Sequence, residues 1–258
     1  DWANENSEES IFEWQYSENA LSNDWSGWGI RGNFAVVYFG PRTPEGDPEI
    51  AEGWSFNTLS WSLYDEFETG DPRLDATIYD ADANLTSYAP GYQNTGYFNA
   101  KYMPRTAYRS TEGGNPDHNW RVNYKDMRLS ELYLIGAELH LNSNPSLATE
   151  YLNTVRVRAM GESARLNSIT LDDIYHERRV ELACEGHRKW DLLRRGLDYA
   201  KTRIDQSFDA PAGIENANEF NNGVFIQDTW GMLPIPASEI RLTNEGQLKQ
   251  YVPAYGGG

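Results

Sequence analysis

Basic residues, cysteine and long apolar runs are what this chain has least of. Its 258 residues hold 22 Lys plus Arg against 39 Asp plus Glu, a formal net charge of −17. Phosphate binding needs a basic face, so this balance argues against a nucleic-acid partner. It argues equally against a polybasic membrane contact. No apolar run approaches the ~20 residues that span a bilayer. The longest, such as Phe34-Ala35-Val36-Val37-Tyr38-Phe39, are strand-sized. Cys184 is the only cysteine, so no intrachain disulfide is possible and the redox compartment stays unread. Its place in a helical pattern predicts a small buried apolar residue over a reactive thiol. No initiator Met or signal peptide precedes Asp1, so a mature or trimmed piece is expected.

Catalytic motifs are missing too. His176-Glu177 begins like a zincin helix, but Val180 stands where the second His would fall. There is no Gly-x-Ser-x-Gly elbow, no P-loop and no dinucleotide fingerprint. With 39 acids, carboxylate pairs such as Asp65/Glu66 or Asp71/Asp75 arise by chance and prove nothing. The expectation is a non-catalytic chain without cofactor or metal.

What is present is unevenly spread. Residues 1–102 carry 18 acids, 4 bases and 20 of the 34 aromatics; residues 103–258 carry 21 acids and 18 bases. The front, net −14, is rich in Gly, Asn, Ser and Pro, which favours short strands and long loops. Residues 10–16 hold β-formers in partial alternation, and 59–67 suit a short helix before Gly70-Asp71-Pro72. Helical periodicity begins near 124. Leu132, Ile135, Gly136 and Leu139 fall at i, i+3, i+4, i+7, and Leu129, Tyr133 and Ala137 widen that face. Asn144 and Pro145 then read as N-cap and first residue of a helix ending at Gly161, with Ala148, Leu152, Val155 and Ala159 on one stripe. The two helices make one hairpin of tetratricopeptide period. A third starts at Thr170 with Asp173 in the capping-box position, and runs through Glu185 until Gly186 kinks or ends it. Residues 189–197 form a further turn or two, and the chain beyond about 203 is loop-like.

The expected fold is mainly α, with tetratricopeptide-like helical hairpins and a loop-rich aromatic region. Residues 1–120 form the loop-rich, ligand-facing part and 121–258 the helical part with an extended tail. The expected core is Leu132, Ile135, Leu139, Leu152, Val155, Ile174 and Leu182. Glu177, Glu181 and Glu185 share a helix face, where like charges repel unless cations meet them; Arg128, Arg156 and Arg158 are the expected partners. That network is read as structural.

Several blocks resemble the C-terminal half of the SusD/RagB family of outer-membrane nutrient-binding lipoproteins. They are the helix Arg128 to Glu138, the run Leu152-Asn153-Thr154-Val155-Arg156-Val157-Arg158-Ala159, the block Glu177-Arg178-Arg179-Val180-Glu181-Leu182, its continuation Glu185 to Gly196, and the closing Leu233-Pro234-Ile235-Pro236 with Glu239, Ile240 and Asn244. Residues 9–13 and 67–74 also match, so the resemblance runs in order over about residues 5 to 255. Family members are longer, with a helical N-terminal half and a lipidated cysteine, and the ending Leu248 to Pro253 departs from the usual Gln-Asn-Pro-Gly-Tyr. The resemblance implies a C-terminal fragment or one part of a split protein, whose missing N-terminal half covers a face of residues 124–160. It further implies a TonB-dependent SusC-like transporter as partner and a lipid-anchored position on the extracellular face of the outer membrane.

Binding candidates come from the front. Aromatic faces suit the C–H faces of sugars, and amides and carboxylates suit their hydroxyls. Trp25 and Trp28, with Asn23 and Asp24, lead; Trp54 and Tyr92 follow. The acidic front favours a neutral oligosaccharide or polysaccharide over a polyanion. A peptide-binding or scaffold subunit of a transporter complex is the alternative. Trp61 and Trp190 are read as structural.

Overall fold

The computed structural model describes residues 4–19, 25, 29–110, 114–206, 209, 223–243 and 246–256. The chain divides into two compact units, Asp1–Gly186 and His187–Gly258.

Among the described residues of the first unit, the strands pair as three two-stranded antiparallel ribbons with short helices between them. β1 (Ser10–Trp14) pairs with β6 (Tyr124–Arg128), β2 (Arg42–Glu45) with β4 (Ser87–Ala89), and β3 (Ile78–Asp80) with β5 (Tyr97–Asn99). Between them lie α1 (Trp61–Tyr64), α2 (Arg73–Thr77) and α3 (Ala81–Asn84). The strand-sized apolar run is a 3-10 turn over Phe34–Tyr38. It buries Val36 and Val37 against Ala51, Tyr102, Trp120 and Val122. In the turn the Val36 N–H donates to the Asn33 carbonyl and the Phe39 N–H to the Val36 carbonyl, and the Val37 and Tyr38 carbonyls accept from Trp54, Phe56 and Asn57 rather than from a partner strand. Trp61 is buried, as expected.

β6 runs directly into α4 (Leu129–His140), which packs against α5 (Pro145–Met160) and α6 (Leu171–Glu181). The helix signals hold. Asn144 accepts from the Leu147 N–H with Pro145 at the first position, and α5 stops at Gly161 with φ 84°. Thr170 and Asp173 form a reciprocal capping box. Leu152, Val155, Ile174 and Leu182 are buried together with Leu134 and Ala137. The face of α4 is rotated from the expected one: Leu132 and Leu139 are exposed and Ile135 is half-buried. A Cβ on Gly136 would lie 2.7 Å from the Tyr151 ring. The small pair Gly136-Ala137 therefore lets α5 approach closely, and that contact fixes the rotation.

Helix α6 ends four residues earlier than its charge row. Leu182 caps it, and Cys184 adopts φ +68° in a turn rather than a helix. Burial pushes the Cys184 thiol up to about 12, so it stays protonated.

The row Glu177, Glu181 and Glu185 is buried and met by cations from four directions. Arg128 donates to Glu181 at 2.6 Å and to Glu185 at 2.6 Å, and Arg158 donates to Glu181 at 2.5 Å. Arg156 donates to Glu177 at 3.3 Å and makes two 2.7 Å bonds to Glu68. Arg73 and Lys101, which the spacing did not single out, complete the set: Arg73 reaches Glu177 at 2.5 Å and Lys101 reaches Glu185 at 2.5 Å. Burial opposes charge on Glu181, yet the Arg128 and Arg158 guanidiniums hold its carboxyl far below the usual range.

The second unit holds α7 (Arg188–Arg194), α8 (Leu197–Asp205) and α9 (Ala237–Leu242). Leu192, Ala200 and Phe225 form its core. The stretch beyond 203 is thus partly helical. Trp190, expected to be structural, is half exposed with the Lys189 ammonium 5.0 Å above its ring. Pro211, Gly213, Asn221 and Asn222 lie outside the described residues.

Candidate functional site

The 3-10 turn carries the site. Asn33 anchors it, donating its N–H to the Trp120 carbonyl at 2.7 Å and its amide to the Val122 carbonyl at 3.0 Å. Residues 53–57 then run along the turn. The Trp54 N–H donates to the Val37 carbonyl at 2.6 Å and the Phe56 N–H to the Tyr38 carbonyl at 3.2 Å. A Cβ on Gly53 would meet the Gly40 backbone at 2.5 Å, so glycine is required for this approach.

The result is an aromatic cluster centred on Trp54. Its ring lies 5.3 Å from Phe34, 5.6 Å from Tyr38 and 5.5 Å from Phe56. Trp25 stacks over it at 6.0 Å with a 27° interplanar angle, and Trp25 also meets His118 edge-on at 4.5 Å. Tyr38 and Phe56 stack at 5.7 Å and 16°. The rings are not sealed in: Trp25 is 53% exposed and Phe56 58%. Arg42 donates to the Trp54 carbonyl at 2.8 Å, which fixes that backbone.

Tyr92 joins from another loop. A Cβ on Gly91 would lie 2.3 Å from the Ser55 carbonyl, so the Gly91 backbone packs on the 54–56 segment and sets the exposed Tyr92 beside it. Next to this loop the Tyr88 hydroxyl donates to Asp82 at 2.6 Å and accepts from Asn94 at 2.9 Å. Desolvation, with Asp82 beside it, pushes the Tyr88 phenol up to about 12, so it remains a donor at neutral pH.

Of the residues singled out from sequence, the structure brings Trp25 and Trp54 into contact and puts Tyr92 on the adjoining loop. Asn23, Asp24 and Trp28 lie outside the described residues. Phe34, Tyr38, Phe56 and His118 were not singled out. The alternation Trp54-Ser55-Phe56 was a usable signal for Phe56. Phe34 and Tyr38 were hidden because they sit in an apolar run that was weighed only for its length.

A cleft of about 1120 Å³ is the other concavity of note, and it is lined by Asn6, Glu9, Arg73, Lys101, Arg128 and Glu181 among others. Its wall is dominated by charged groups, with Arg73, Arg128 and Arg158 bound to Glu181 there, so it offers little apolar ring surface to a neutral ring ligand. The aromatic surface is the stronger candidate because its exposed rings present apolar faces with hydrogen-bonding loops beside them. Among the described residues no group of three or more His, Cys, Asp or Glu is placed to hold a metal ion.

The described residues thus combine ribbons and helices around a charged helix row with an exposed aromatic surface. A sequence model of the SusD family matches residues 8–255, and the chain belongs to that family. Among solved structures it is similar to a laminarin-binding SusD-like protein, 36% identical with a TM-score of 0.78, over 98% of this chain and 52% of that one. It is also similar to surface glycan-binding protein A from Bacteroides thetaiotaomicron in complex with laminarihexaose, 30% identical with a TM-score of 0.76, over 94% of this chain and 51% of that one. A SusD-like protein P25 of Formosa agariphila is 38% identical over 92 residues, which is 31% of this chain and 18% of that protein. The chain thus spans about half the length of the solved relatives it matches.

Proposed function

We propose that the chain captures a neutral oligosaccharide without cleaving it, through Trp25, Trp54 and Tyr92. The observation that carries this is the exposed Trp25 stacked over the Trp54 hub. Ring faces bind C–H faces of sugars without any need for charge, which fits a front region of net −14. Phe56 extends the platform, and Asn23, Asp24 and Trp28 are proposed to contribute from the flanking loop. The names of the relatives support a laminarin-type neutral glucan as first ligand to try.

The family supports a place on the cell surface. The finer reading is a lipid-anchored protein on the extracellular face of the outer membrane, handing its ligand to a TonB-dependent SusC-like transporter. Among the described residues no helix is long and apolar enough to cross a membrane. Residues 1–120 would face the ligand and 121–258 would carry the helical frame.

The test is calorimetric titration of the 258-residue chain with laminarihexaose and with a neutral oligosaccharide of different linkage, alongside Trp54→Ala and Trp25→Ala. Binding that weakens in both variants supports the site. Unchanged affinity in both removes these rings from it. No binding to any neutral oligosaccharide, with binding to a peptide or to the transporter alone, moves the function to a protein-interaction subunit.

A further inference from the structure

Beside the aromatic surface lie two charged side chains whose hydrogen-bonding capacity the fold leaves unused. Arg109 and Trp120 meet in an antiparallel bridge. The Asn33 N–H that anchors the aromatic turn donates to the Trp120 carbonyl, so Arg109 is carried to the flank of that turn. Its guanidinium lies over the Trp120 ring at 4.9 Å. Among the described residues Arg109 Nε is buried without a hydrogen-bond acceptor, and so is the Trp120 indole N–H. Asp117 arrives on a 3-10 turn, Pro116–His118, capped by Asn115, whose side chain accepts from the Asp117 N–H at 3.0 Å. Gly32 locks that turn to the aromatic one. Its N–H donates to the His118 carbonyl at 3.1 Å, and a Cβ there would lie 2.3 Å from the same oxygen. The His118 ring meets the exposed Trp25 at 4.5 Å, so Asp117 is one residue from that contact. Among the described residues neither the Arg109 guanidinium nor the Asp117 carboxylate takes part in a hydrogen bond or an ion pair.

Both residues are half-buried. A carboxylate that loses water without gaining donors costs free energy, and so does a buried N–H without an acceptor. Desolvation holds the Asp117 carboxyl above the usual carboxylate range, and Glu52 adds to it, while Arg109 and His118 pull the other way. Glu52 immediately precedes Gly53-Trp54, so the field on Asp117 comes in part from the segment that carries Trp54. We propose that Arg109 and Asp117 form the hydroxyl-reading edge of the aromatic surface, Asp117 accepting from and Arg109 donating to adjacent hydroxyl groups of a sugar ring seated on Trp25. A hydroxyl is both donor and acceptor, so two neighbouring hydroxyls answer one acceptor group and one planar donor fork. The two charges cancel in sum, which suits an uncharged ring better than an anion or a cation. This role rests on the glycan reading of the aromatic surface and deepens it: the ring faces supply contact area, and the charged edge selects how the hydroxyls are arranged.

The experiment is calorimetric titration of the 258-residue chain with laminarihexaose, comparing wild type with Asp117→Ala, Asp117→Asn and Arg109→Met, with a thermal melt of each. The expected result is an affinity lower by about tenfold or more in Asp117→Ala and in Arg109→Met, with melting midpoints near that of wild type. Asp117→Asn keeps one acceptor oxygen and loses less. Acid gives a second readout. In the wild type, affinity falls on acidification while circular dichroism still shows the folded chain, because protonation removes the acceptor. Arg109, His118 and Glu52 are the charged groups that act on Asp117, and all three remain in Asp117→Asn, where the fall is expected to be smaller. If Asp117→Ala fails to fold, the acid profile of Asp117→Asn decides. Unchanged affinity in Asp117→Ala and Arg109→Met, with the wild type binding, overturns this role and leaves the glycan reading standing. So does an acid profile of Asp117→Asn identical to that of wild type. No binding of any neutral oligosaccharide by the wild type overturns both.

Discussion

The charged interior beneath α6 and the aromatic surface around Trp54 sort their residues in opposite ways. Beneath α6 the chain buries Glu177, Glu181 and Glu185 with Arg73, Arg128, Arg156 and Lys101, and almost every charge finds an opposite one within hydrogen-bond range. Around Trp54 it leaves Trp25 and Phe56 half in water although their area would stabilise a core. A buried charge network adds little net stability but is intolerant of losing one member. An exposed ring costs the chain its burial free energy and makes a face available to a ligand. The first region is therefore sensitive in stability, and the second in binding.

The largest test of that contrast removes one cation. Arg128→Met leaves Glu181 and Glu185 buried with part of their partners gone, and a loss of about 3–5 kcal/mol in urea unfolding is expected. A loss below about 1 kcal/mol would mean that the network is hydrated and loosely held.

Core packing comes next. Leu152 is fully buried between α4, α5 and α6, so Leu152→Ala is expected to cost about 2–5 kcal/mol. Leu139→Ala, on the outer stripe of the same hairpin, is expected to change stability of the chain alone by less than about 0.5 kcal/mol. Equal costs at the two positions would overturn the rotation assigned to α4.

On the aromatic side, Trp54→Ala is expected to weaken oligosaccharide binding by about 1–3 kcal/mol. Trp25→Ala should do the same while shifting the unfolding midpoint very little, because its ring is exposed. Loss of stability without loss of affinity would make the cluster a packing device.

Acid gives the smallest, graded effect. In the folded chain the Glu9 carboxyl works against its own desolvation but is held down by Arg158 and Arg128, and Glu181 is held down likewise. The folded state thus binds fewer protons than the unfolded one, and the stability this contributes is present above about pH 4.3 and lost as pH falls further. His176 works in the other direction. Its bond to Glu66 raises its value, so its contribution is full below about pH 6.5 and fades as pH climbs through the raised value. Thermal melts from pH 3 to 9 read both limbs; a flat profile below pH 5 would contradict the network.

Much of the helical frame was legible. Asn144-Pro145, Gly161 and the Thr170/Asp173 box mark helix ends through local hydrogen bonds and backbone freedom, which depend on near neighbours only. The charge row was legible as needing cations, and Arg128, Arg156 and Arg158 were named from it. Arg73 and Lys101 were not, because they arrive from α2 and from the loop after β5, some 80 to 110 residues away in sequence. On α4 two apolar stripes competed, and the pattern alone gave no reason to prefer Leu134 over Leu132.

The sequence by itself determined the mainly helical frame, the helix ends at Asn144, Gly161 and Thr170, and the identity of Trp25, Trp54 and Tyr92 as ring candidates, while the family showed in the resemblance of whole blocks in order. The helix ends and ring candidates follow from spacing, capping chemistry and composition, which are local. Only the tertiary structure decided which face of α4 is buried, that Phe34–Tyr38 turns instead of extending, and that the β1–β6 ribbon points its charges inward. Each of these depends on a contact between distant segments: Tyr151 against Gly136, Trp54 against Val37, and Arg128 against Glu181. Long-range packing selects one of several locally equivalent arrangements, and that selection brings Trp25 onto Trp54.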